Sequence, residues 1–188
     1  MKPAKRPKLT RIPSELVCVS DYERLAKDFV PRDIYAYIAG GGADELTLHN
    51  NRRAFDRIEL FSRVLSDCTG GTTALTLLGA PFRHPVLLAP VAYQKLVHPD
   101  GERATAQAAD ALQAGYIAST MASVSLEAIA AELSGNKWFQ LYVQDSREGT
   151  LSLLRRAEAA GYTALVVTVD APINGLRNRA QRLSLIHI

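Results

Sequence analysis

Polar residues suited to acid-base and anion-binding chemistry follow two apolar segments in the second half of the sequence. In the segment WFQLYV, Gln140 and Tyr142 fall on one face if the segment is a β-strand, because side chains alternate along a strand. Thr168 and Asp170 share a face at the end of a second segment. Phenol and carboxylate groups that face one pocket can orient a small polar ligand. An aspartate at a strand end is also typical of a helix cap, so the residues alone leave its role open.

A candidate anion ligand follows the second segment. Arg177 lies in a predicted loop with Arg179 and Arg182. A guanidinium group can hold a carboxylate by two parallel hydrogen bonds. Three arginines in one loop are also typical of a solvated surface, so the spacing alone does not separate a substrate ligand from a surface charge.

The elements that must position these residues repeat along the chain from Pro85 onward, as a short apolar run, a turn and a helix. The predicted strands are Val86–Ala89, Tyr116–Ser119, Trp138–Val143 and Ala164–Val169, and the predicted helices are Glu102–Gln113, Leu126–Leu133 and Glu148–Ala160. Strands joined by helical crossovers predict βαβ units and a parallel sheet. This periodicity is compatible with an open doubly wound sheet and with a (β/α)8 barrel. Gly115 and Gly161 follow two of the helices and are expected to close them in the left-handed conformation.

The N-terminal third predicts helices followed by a hairpin. Asp21 is expected to cap a first helix that ends at Phe29. Pro31 suits the start of a second helix, Arg32–Ala39, which the glycines at 40–42 end. A third helix is predicted over Asp44–Phe55, and residues 63–85 are expected to contain a short hairpin.

Composition indicates a globular protein. The 188 residues carry 22 Lys+Arg and 19 Asp+Glu, a net charge of 22 − 19 = +3, and much of this excess lies in residues 1–15, a predicted flexible basic arm. No basic segment recurs with interleaved aromatics, so nucleic-acid binding is not expected. No apolar run approaches a membrane span, and Cys18 and Cys68 lack CxxC spacing. These features favour a cytoplasmic protein with structural thiols, whose basic arm can also contact anionic lipid.

Five motifs occur in order within residues 16–182: YAYIAG at 35–40, NRRAF at 51–55, LAPVA at 88–92, FQLYV at 139–143 and TVDAP at 168–172. Together they resemble the FMN-dependent 2-hydroxy-acid dehydrogenases and oxidases, a family that includes glycolate oxidase, lactate oxidase, flavin-linked lactate dehydrogenase and mandelate dehydrogenase. The resemblance implies a (β/α)8 barrel preceded by helices, bound FMN, and oxidation of a small L-2-hydroxy acid such as lactate or glycolate. It also implies a homotetramer. No metal site is expected from the sequence.

The resemblance assigns roles to individual residues. Tyr37 and Arg177 match ligands of the substrate carboxylate, Tyr142 matches the tyrosine at the substrate hydroxyl, and Asp170 matches the carboxylate that hydrogen-bonds the general-base histidine. The implied FMN ligands are backbone groups of Pro90, Val91 and Ala92 and the side chains of Ser119, Gln140 and Thr168. Met121 departs from the aromatic residue that several members carry near the substrate side chain, which predicts a differently shaped pocket.

The chain supplies only four of the eight strands of such a barrel. The resemblance places the general-base histidine, a lysine near the flavin, a second arginine and the phosphate site in the other half. His49, His84, His98 and His187 do not match that base. Residues 183–188 (LSLIHI) depart from the family and are expected to be a non-native tail at a truncation. The chain alone is therefore expected to be inactive and poorly soluble, since a half-barrel leaves strand edges unpaired.

Two other functions remain open at this point. One is a non-catalytic pseudoenzyme or oligomerisation module with the same half-barrel. The other is a different flavin-binding barrel, such as a flavin-dependent isomerase. The residues do not specify the 2-hydroxy acid, nor whether oxygen, a quinone or a cytochrome accepts the electrons.

Overall fold

The computed structural model describes residues 9–170, 173 and 175–183. Most of the predicted basic arm and of the predicted tail lies outside these residues. The described residues form two compact units. The first comprises residues 9–64, 173 and 175–183, and the second comprises residues 65–170.

The first unit is helical. Its helices are α1 (Val19–Phe29), α2 (Arg32–Ala39), α3 (Leu46–Asp56) and α7 (Asn178–Gln181). The prediction for α2 is confirmed, including Pro31 before its first residue. Helix α3 begins two residues later than predicted, because Glu45 has a left-handed backbone with φ of 61° and precedes the helix. Helix α7 was not predicted.

The predicted cap of α1 is wrong. Cys18 is the N-cap residue, and Asp21 lies inside the first turn. The Asp21 carboxylate reaches back to accept hydrogen bonds from the backbone N–H groups of Val17 and Cys18, both at 2.9 Å. These bonds lower the pKa of Asp21. The aspartate therefore satisfies the orphan donors of the helix terminus from the third helical position, as in a capping box.

The second unit is α/β. A two-stranded antiparallel hairpin, β1 (Leu75–Leu77) with β2 (Ala80–Phe82), confirms the predicted hairpin. A four-stranded sheet follows in the order β3 (Leu87–Leu88), β4 (Gly115–Ser119), β5 (Lys137–Leu141) and β6 (Ala164–Val167). All neighbouring strands of this sheet are parallel. Helices α4 (Glu102–Ala111), α5 (Leu126–Ala130) and α6 (Arg147–Ala159) connect them, which confirms the predicted alternation of strand and helix.

The core of the second unit lies between one face of the sheet and the three connecting helices. Phe139 and Ile129 are fully buried there, and the rings of Phe139 and Tyr162 meet edge to face at 5.8 Å. The Tyr162 hydroxyl donates to the Leu126 carbonyl at 2.8 Å. Because Phe139 and Leu141 face this core, the residue between them, Gln140, projects from the opposite face of the sheet.

The two glycines expected to close helices behave differently. Gly161 has φ of +83° after α6, as predicted. The prediction for Gly115 is wrong, because it is the first residue of β4 and Gln113 takes the left-handed conformation instead, with φ of 55°. A Cβ at Gly115 would lie 2.7 Å from Phe82 Cε1. Close packing against the hairpin therefore requires glycine at this position.

Three further sequence expectations concern the thiols, the membrane and metals. Cys18 and Cys68 are free and exposed. No helix in the described part of the chain is long and apolar enough to cross a membrane. Among the same residues, no group of three or more His, Cys, Asp or Glu side chains is placed to hold a metal ion.

Tyr116 gives the fold a pH dependence that can be measured. Burial, and then the nearby Glu102 charge, raise the pKa of Tyr116 to about 12 from the ordinary 10.0. Between these values the unfolded chain releases the proton while the folded chain retains it, so stability is full below pH 10 and falls as the pH rises. We expect Tyr116→Phe to remove part of this loss, at most about 3 kcal/mol. Urea unfolding from pH 8 to pH 11 measures it.

The half-exposed Tyr22 provides the matched control. Tyr22→Phe is expected to leave the pH dependence of the unfolding free energy unchanged. Equal alkaline slopes for wild type and Tyr116→Phe would contradict the assignment of this dependence to Tyr116.

Candidate active site

A row of polar side chains crosses the carboxyl end of the sheet on the face opposite the helices. Ser119 ends β4, Gln140 pairs with it in β5, and Thr168 follows β6. Ser119 Oγ donates to Gln140 Oε1 at 3.2 Å, and Gln140 Nε2 donates to Thr168 Oγ1 at 2.9 Å. Ser119 and Gln140 are buried, and Thr168 is half-buried. The structure therefore brings together the three predicted side-chain ligands of FMN, which we call the polar row.

Backbone groups of the loop after β4 extend the polar row. The Thr120 N–H donates to Gln140 Oε1 at 3.2 Å, and the Met121 N–H donates to Ser119 Oγ at 3.1 Å. The Thr120 hydroxyl donates to the Gln140 carbonyl and accepts from the Tyr142 N–H at 3.1 Å. Sequence reasoning missed Thr120. A second hydroxyl directly after Ser119 at a predicted strand end was the available signal.

Pro90, Val91 and Ala92 lie in the loop that follows β3. Val91 is 55% exposed, and Ala92 is also exposed. The loop is tied to the loop after β4, where the Tyr93 N–H donates to the Met121 carbonyl at 3.1 Å. Met121 itself is 39% exposed. Its side chain is therefore available for contact with a ligand.

Tyr142 and Asp170 lie beyond the ends of their strands. Strand β5 ends at Leu141 and strand β6 at Val167, so regular strand alternation does not extend to either residue. This corrects the expectation that Tyr142 shares a strand face with Gln140 and that Asp170 shares one with Thr168. The ladder continues only to Thr168, whose N–H donates to the Leu141 carbonyl at 3.2 Å. Tyr142 is 40% exposed and Asp170 is exposed.

In the first unit, the structure brings Tyr37 and Arg177 together. Tyr37 lies on α2, and Arg177 immediately precedes α7. The guanidinium carbon lies 4.7 Å from the centre of the Tyr37 ring, and Nη1 donates to the Tyr37 carbonyl at 3.1 Å. This cation-π contact fixes the plane of the guanidinium group. Arg177 is exposed, and only one of its five N–H donors serves the Tyr37 carbonyl.

Neighbouring contacts hold Arg177 in place. Arg179 forms an ion pair with Glu45 and donates to the Ala39 carbonyl at 3.4 Å. The Ala43 N–H donates to the Leu176 carbonyl at 2.8 Å. The Arg179 guanidinium group is therefore paired with a carboxylate, whereas that of Arg177 contacts the ring and the carbonyl of Tyr37.

The described histidines have local roles. His84 Nε2 lies 3.0 Å from the Leu112 carbonyl, and His98 Nδ1 accepts from the Asp100 N–H at 3.2 Å. His49 is exposed on α3, and His187 lies outside the described residues. The expectation that none of these histidines is the general base stays a prediction.

The sequence matches the family described as "FMN-dependent dehydrogenase" over residues 26–187. The chain belongs to this family. Membership confirms the resemblance on which the site residues were chosen, and it confirms FMN as the cofactor of the family. An L-lactate oxidase of Alicycliphilus denitrificans is 50% identical over 163 residues, which are 87% of this chain and 45% of that protein.

Further relatives act on different acids. A 4-hydroxymandelate oxidase of Amycolatopsis orientalis is 45% identical and a glycolate oxidase of Spinacia oleracea is 42% identical, covering 88% and 87% of this chain and 46% and 44% of theirs. The crystal structure of mandelate oxidase with (S)-2-phenylpropionate superposes with a TM-score of 0.87 and 43% identity, over 92% of this chain and 51% of that one. The chain spans about half the length of the relatives it matches. These relatives are oxidases, so they give no support to an isomerase or a non-catalytic module.

The polar row fits the cofactor of the family. A flavin ring presents both hydrogen-bond donors and acceptors along its polar edge, and a carboxamide flanked by two hydroxyl groups can supply both. Small or backbone groups, as at Pro90, Val91 and Ala92, allow close approach to a planar ring. These residues of the second unit therefore fit the polar edge of the flavin ring.

Proposed function

We propose that the complete gene product oxidises a small L-2-hydroxy acid, of the lactate or glycolate type, to the 2-oxo acid with FMN as the hydride acceptor. The polar row of Ser119, Gln140 and Thr168, of which the first two are buried, is the observation that carries this proposal. It supplies matched donors and acceptors at the carboxyl ends of parallel strands, where barrel enzymes place their chemistry. The relatives named as lactate, glycolate and 4-hydroxymandelate oxidases support the substrate class.

Arg177 and Tyr37 bind the substrate carboxylate in this proposal. The guanidinium group stacks on the Tyr37 ring, so little rotational freedom is lost when it forms two parallel hydrogen bonds to a carboxylate. The Tyr37 hydroxyl donates a further bond to the same carboxylate. Binding through the carboxylate orients the α-carbon of every 2-hydroxy acid in the same way, whatever its side chain.

Tyr142 and Asp170 act on the substrate hydroxyl and its proton. When bound, FMN supplies the two-electron acceptor for the hydride that leaves the substrate α-carbon. The Tyr142 hydroxyl orients the substrate hydroxyl, whose proton passes to a general-base histidine of the complete protein. Asp170 accepts a hydrogen bond from that histidine, and its negative charge stabilises the imidazolium that forms.

Met121 shapes the pocket for the acid side chain. Its side chain is flexible and 39% exposed, and the Tyr93 hydroxyl contacts its sulfur at 3.9 Å. A flexible thioether adapts to acyl groups of different shape.

We also propose that residues 16–182 form the first four βα units of a (β/α)8 barrel that is completed by further chain and assembles as a homotetramer. The order of the parallel sheet and the apolar exposure of β6 support the barrel, with Leu165 43% and Val167 46% exposed, whereas the homotetramer rests on the family resemblance alone. A β-strand with exposed apolar side chains invites further packing. The predictions of a basic arm at 1–15, of a non-native tail at 183–188, of a poorly soluble and inactive isolated chain, and of a cytoplasmic location stay predictions.

The proposed function is tested on the purified complete gene product. We expect it to contain FMN, and L-lactate, glycolate or mandelate added without oxygen should bleach the flavin absorbance, whereas the D-enantiomers of lactate and mandelate should not. Product analysis should give the 2-oxo acid in an amount equal to the flavin reduced. A preparation that binds FMN but is bleached by none of these acids would contradict the oxidation, and one that binds no FMN would contradict the cofactor.

A further inference from the structure

Glu102 is a buried carboxylate that the proposed function does not use. It is the first residue of α4 and is only 1% exposed. Glutamate is almost never fully buried unless its charge is paired or hydrogen-bonded. Within the described residues, its Oε2 atom is the one buried side-chain oxygen or nitrogen that has no hydrogen-bond partner. A group buried at this cost needs a compensating role.

The other oxygen of Glu102 joins two loops. Its Oε1 accepts from the Gln94 N–H at 3.1 Å and from the Ser123 N–H at 2.8 Å. Gln94 belongs to the β3 loop, residues 89–101, and Ser123 belongs to the β4 loop, residues 120–125. Hydrogen bonds from two backbone donors to a carboxylate are charge-assisted and stronger than neutral ones. A single atom therefore accepts hydrogen bonds from both loops.

Bonds between the loops lie on either side of this bridge. The Lys95 N–H donates to Ser123 Oγ at 3.2 Å, and the Tyr93 N–H donates to the Met121 carbonyl at 3.1 Å. The bridged stretch is thus continuous with the backbone at residues 90–92 and with Met121. Any change in loop separation would be transmitted to these positions.

The backbone before Glu102 is shaped to bring the carboxylate to the loops. Gly101 has φ of +51°, and a Cβ there would lie 2.8 Å from Lys95 Cγ and 3.3 Å from Lys95 N. The N-terminus of α4 also favours a negative charge at its first residue. Thr105, one turn later, is hydrogen-bonded to the Gln94 side chain, which fixes the β3 loop a second time.

We propose that Glu102 is a positioning residue that sets the separation of the β3 and β4 loops and thereby holds the backbone at residues 90–92 and the Met121 side chain in place for FMN and substrate. The part of this inference that concerns FMN rests on the proposed function. The bridge between the loops does not, because it is formed by this chain alone.

Two variants of the complete gene product test the proposal. Glu102→Leu keeps the approximate shape but removes both acceptors, and Glu102→Gln keeps one acceptor oxygen but removes the charge. Glu148→Gln is the matched control, since Glu148 lies in the first turn of α6 and is exposed. Hydrogen exchange at the Gln94 and Ser123 amides is measured without FMN, and the dissociation constant of FMN is measured by fluorescence.

We expect amide exchange at Gln94 and Ser123 to accelerate at least about tenfold in Glu102→Leu, with a similar weakening of FMN binding, because two buried N–H groups lose their acceptor. Glu102→Gln should fall between Glu102→Leu and wild type, and it decides the question if Glu102→Leu does not fold. Glu148→Gln should match wild type in both measurements.

Three outcomes would overturn the proposal. Unchanged hydrogen exchange at both amides would show that Glu102 does not hold the two loops together. Exchange that rises equally at amides of β5 and β6 would assign Glu102 to general stability. Faster loop exchange with unchanged FMN affinity would remove its positioning role. Failure of the wild-type protein to bind FMN would contradict the proposed function. The exchange data, which are measured without FMN, would still test whether Glu102 connects the two loops.

Discussion

Replacing Arg177 with leucine should lower kcat/KM for the 2-hydroxy acid by a factor of about 100 or more. Each hydrogen bond to a charged group contributes about 1.5–3 kcal/mol, and the proposed arginine-carboxylate pair has two. Leucine retains apolar contact with the Tyr37 ring, so the fold of the first unit should survive. Arg177→Lys should give an intermediate loss, because an ammonium group is a point charge without the fork that matches a carboxylate.

The substrate can be changed together with the enzyme to isolate this interaction. The neutral amide of the same 2-hydroxy acid lacks the carboxylate, so Arg177→Leu should affect its oxidation far less than that of the acid. Arg182→Leu is the control, since Arg182 is an exposed arginine at the other end of α7, where it is the C-cap residue. If Arg177→Leu lowers kcat/KM equally for the acid and for the amide, Arg177 has only a structural role, and the proposed contact with the carboxylate is refuted.

The contact between Tyr37 and Arg177 could not be predicted from the sequence. Family motifs singled out Tyr37 and Arg177 separately, and 140 residues separate them in the chain. Helix α7 is only four residues long, without a capping signal or a usable apolar period, so no local pattern predicts it. The contact between these two residues depends on long-range packing, which local propensity does not encode.

In the second unit the sequence predicts the strands of the parallel sheet and the helices that connect them. Its strands and helices were placed within about three residues at each end, because short apolar runs and helical segments alternate strongly. The proximity of Ser119 and Gln140 follows from this, since both end neighbouring parallel strands. The orientation of Tyr142 and Asp170 does not follow, because each strand stops before them and a loop backbone then determines their direction.

The conformation or burial of several residues near helix ends could not be predicted from the sequence. Gln113 and Glu45 adopt left-handed backbones, although neither is the glycine or asparagine that usually signals this conformation. Gly115 is required by packing against Phe82, and Glu102 is buried by the loops around it. The contacts of Gly115 and Glu102 join residues that are distant in the chain, and such contacts are not readable from spacing.

Replacing Gln140 with leucine should abolish stable FMN binding, with a loss in affinity of about 100-fold or more. Leucine fills a similar volume but leaves the Thr120 N–H, and the hydroxyls of Ser119 and Thr168, without the carboxamide that joins them. Each buried polar group left unsatisfied costs about 1–3 kcal/mol. The free energy of unfolding should therefore fall as well, by at least about 1–3 kcal/mol, because Ser119 is buried whereas Thr120 and Thr168 are only partly buried. Flavin fluorescence titration and urea unfolding measure the two effects.

A control variant, together with comparison of FMN affinity and unfolding free energy, separates the role of the polar row in FMN binding from its role in stability. Gln107→Leu makes the same substitution at an exposed position on α4, where it removes one hydrogen bond to Glu132, and should change neither measurement appreciably. If Gln140→Leu lowers stability but binds FMN within about threefold of wild type, a difference below about 0.7 kcal/mol, the row only supports the sheet. Gln140 is the one member of the row that contacts both of the others. Loss of FMN affinity in Gln140→Leu but not in Gln107→Leu would therefore show that the hydrogen-bonded row takes part in FMN binding.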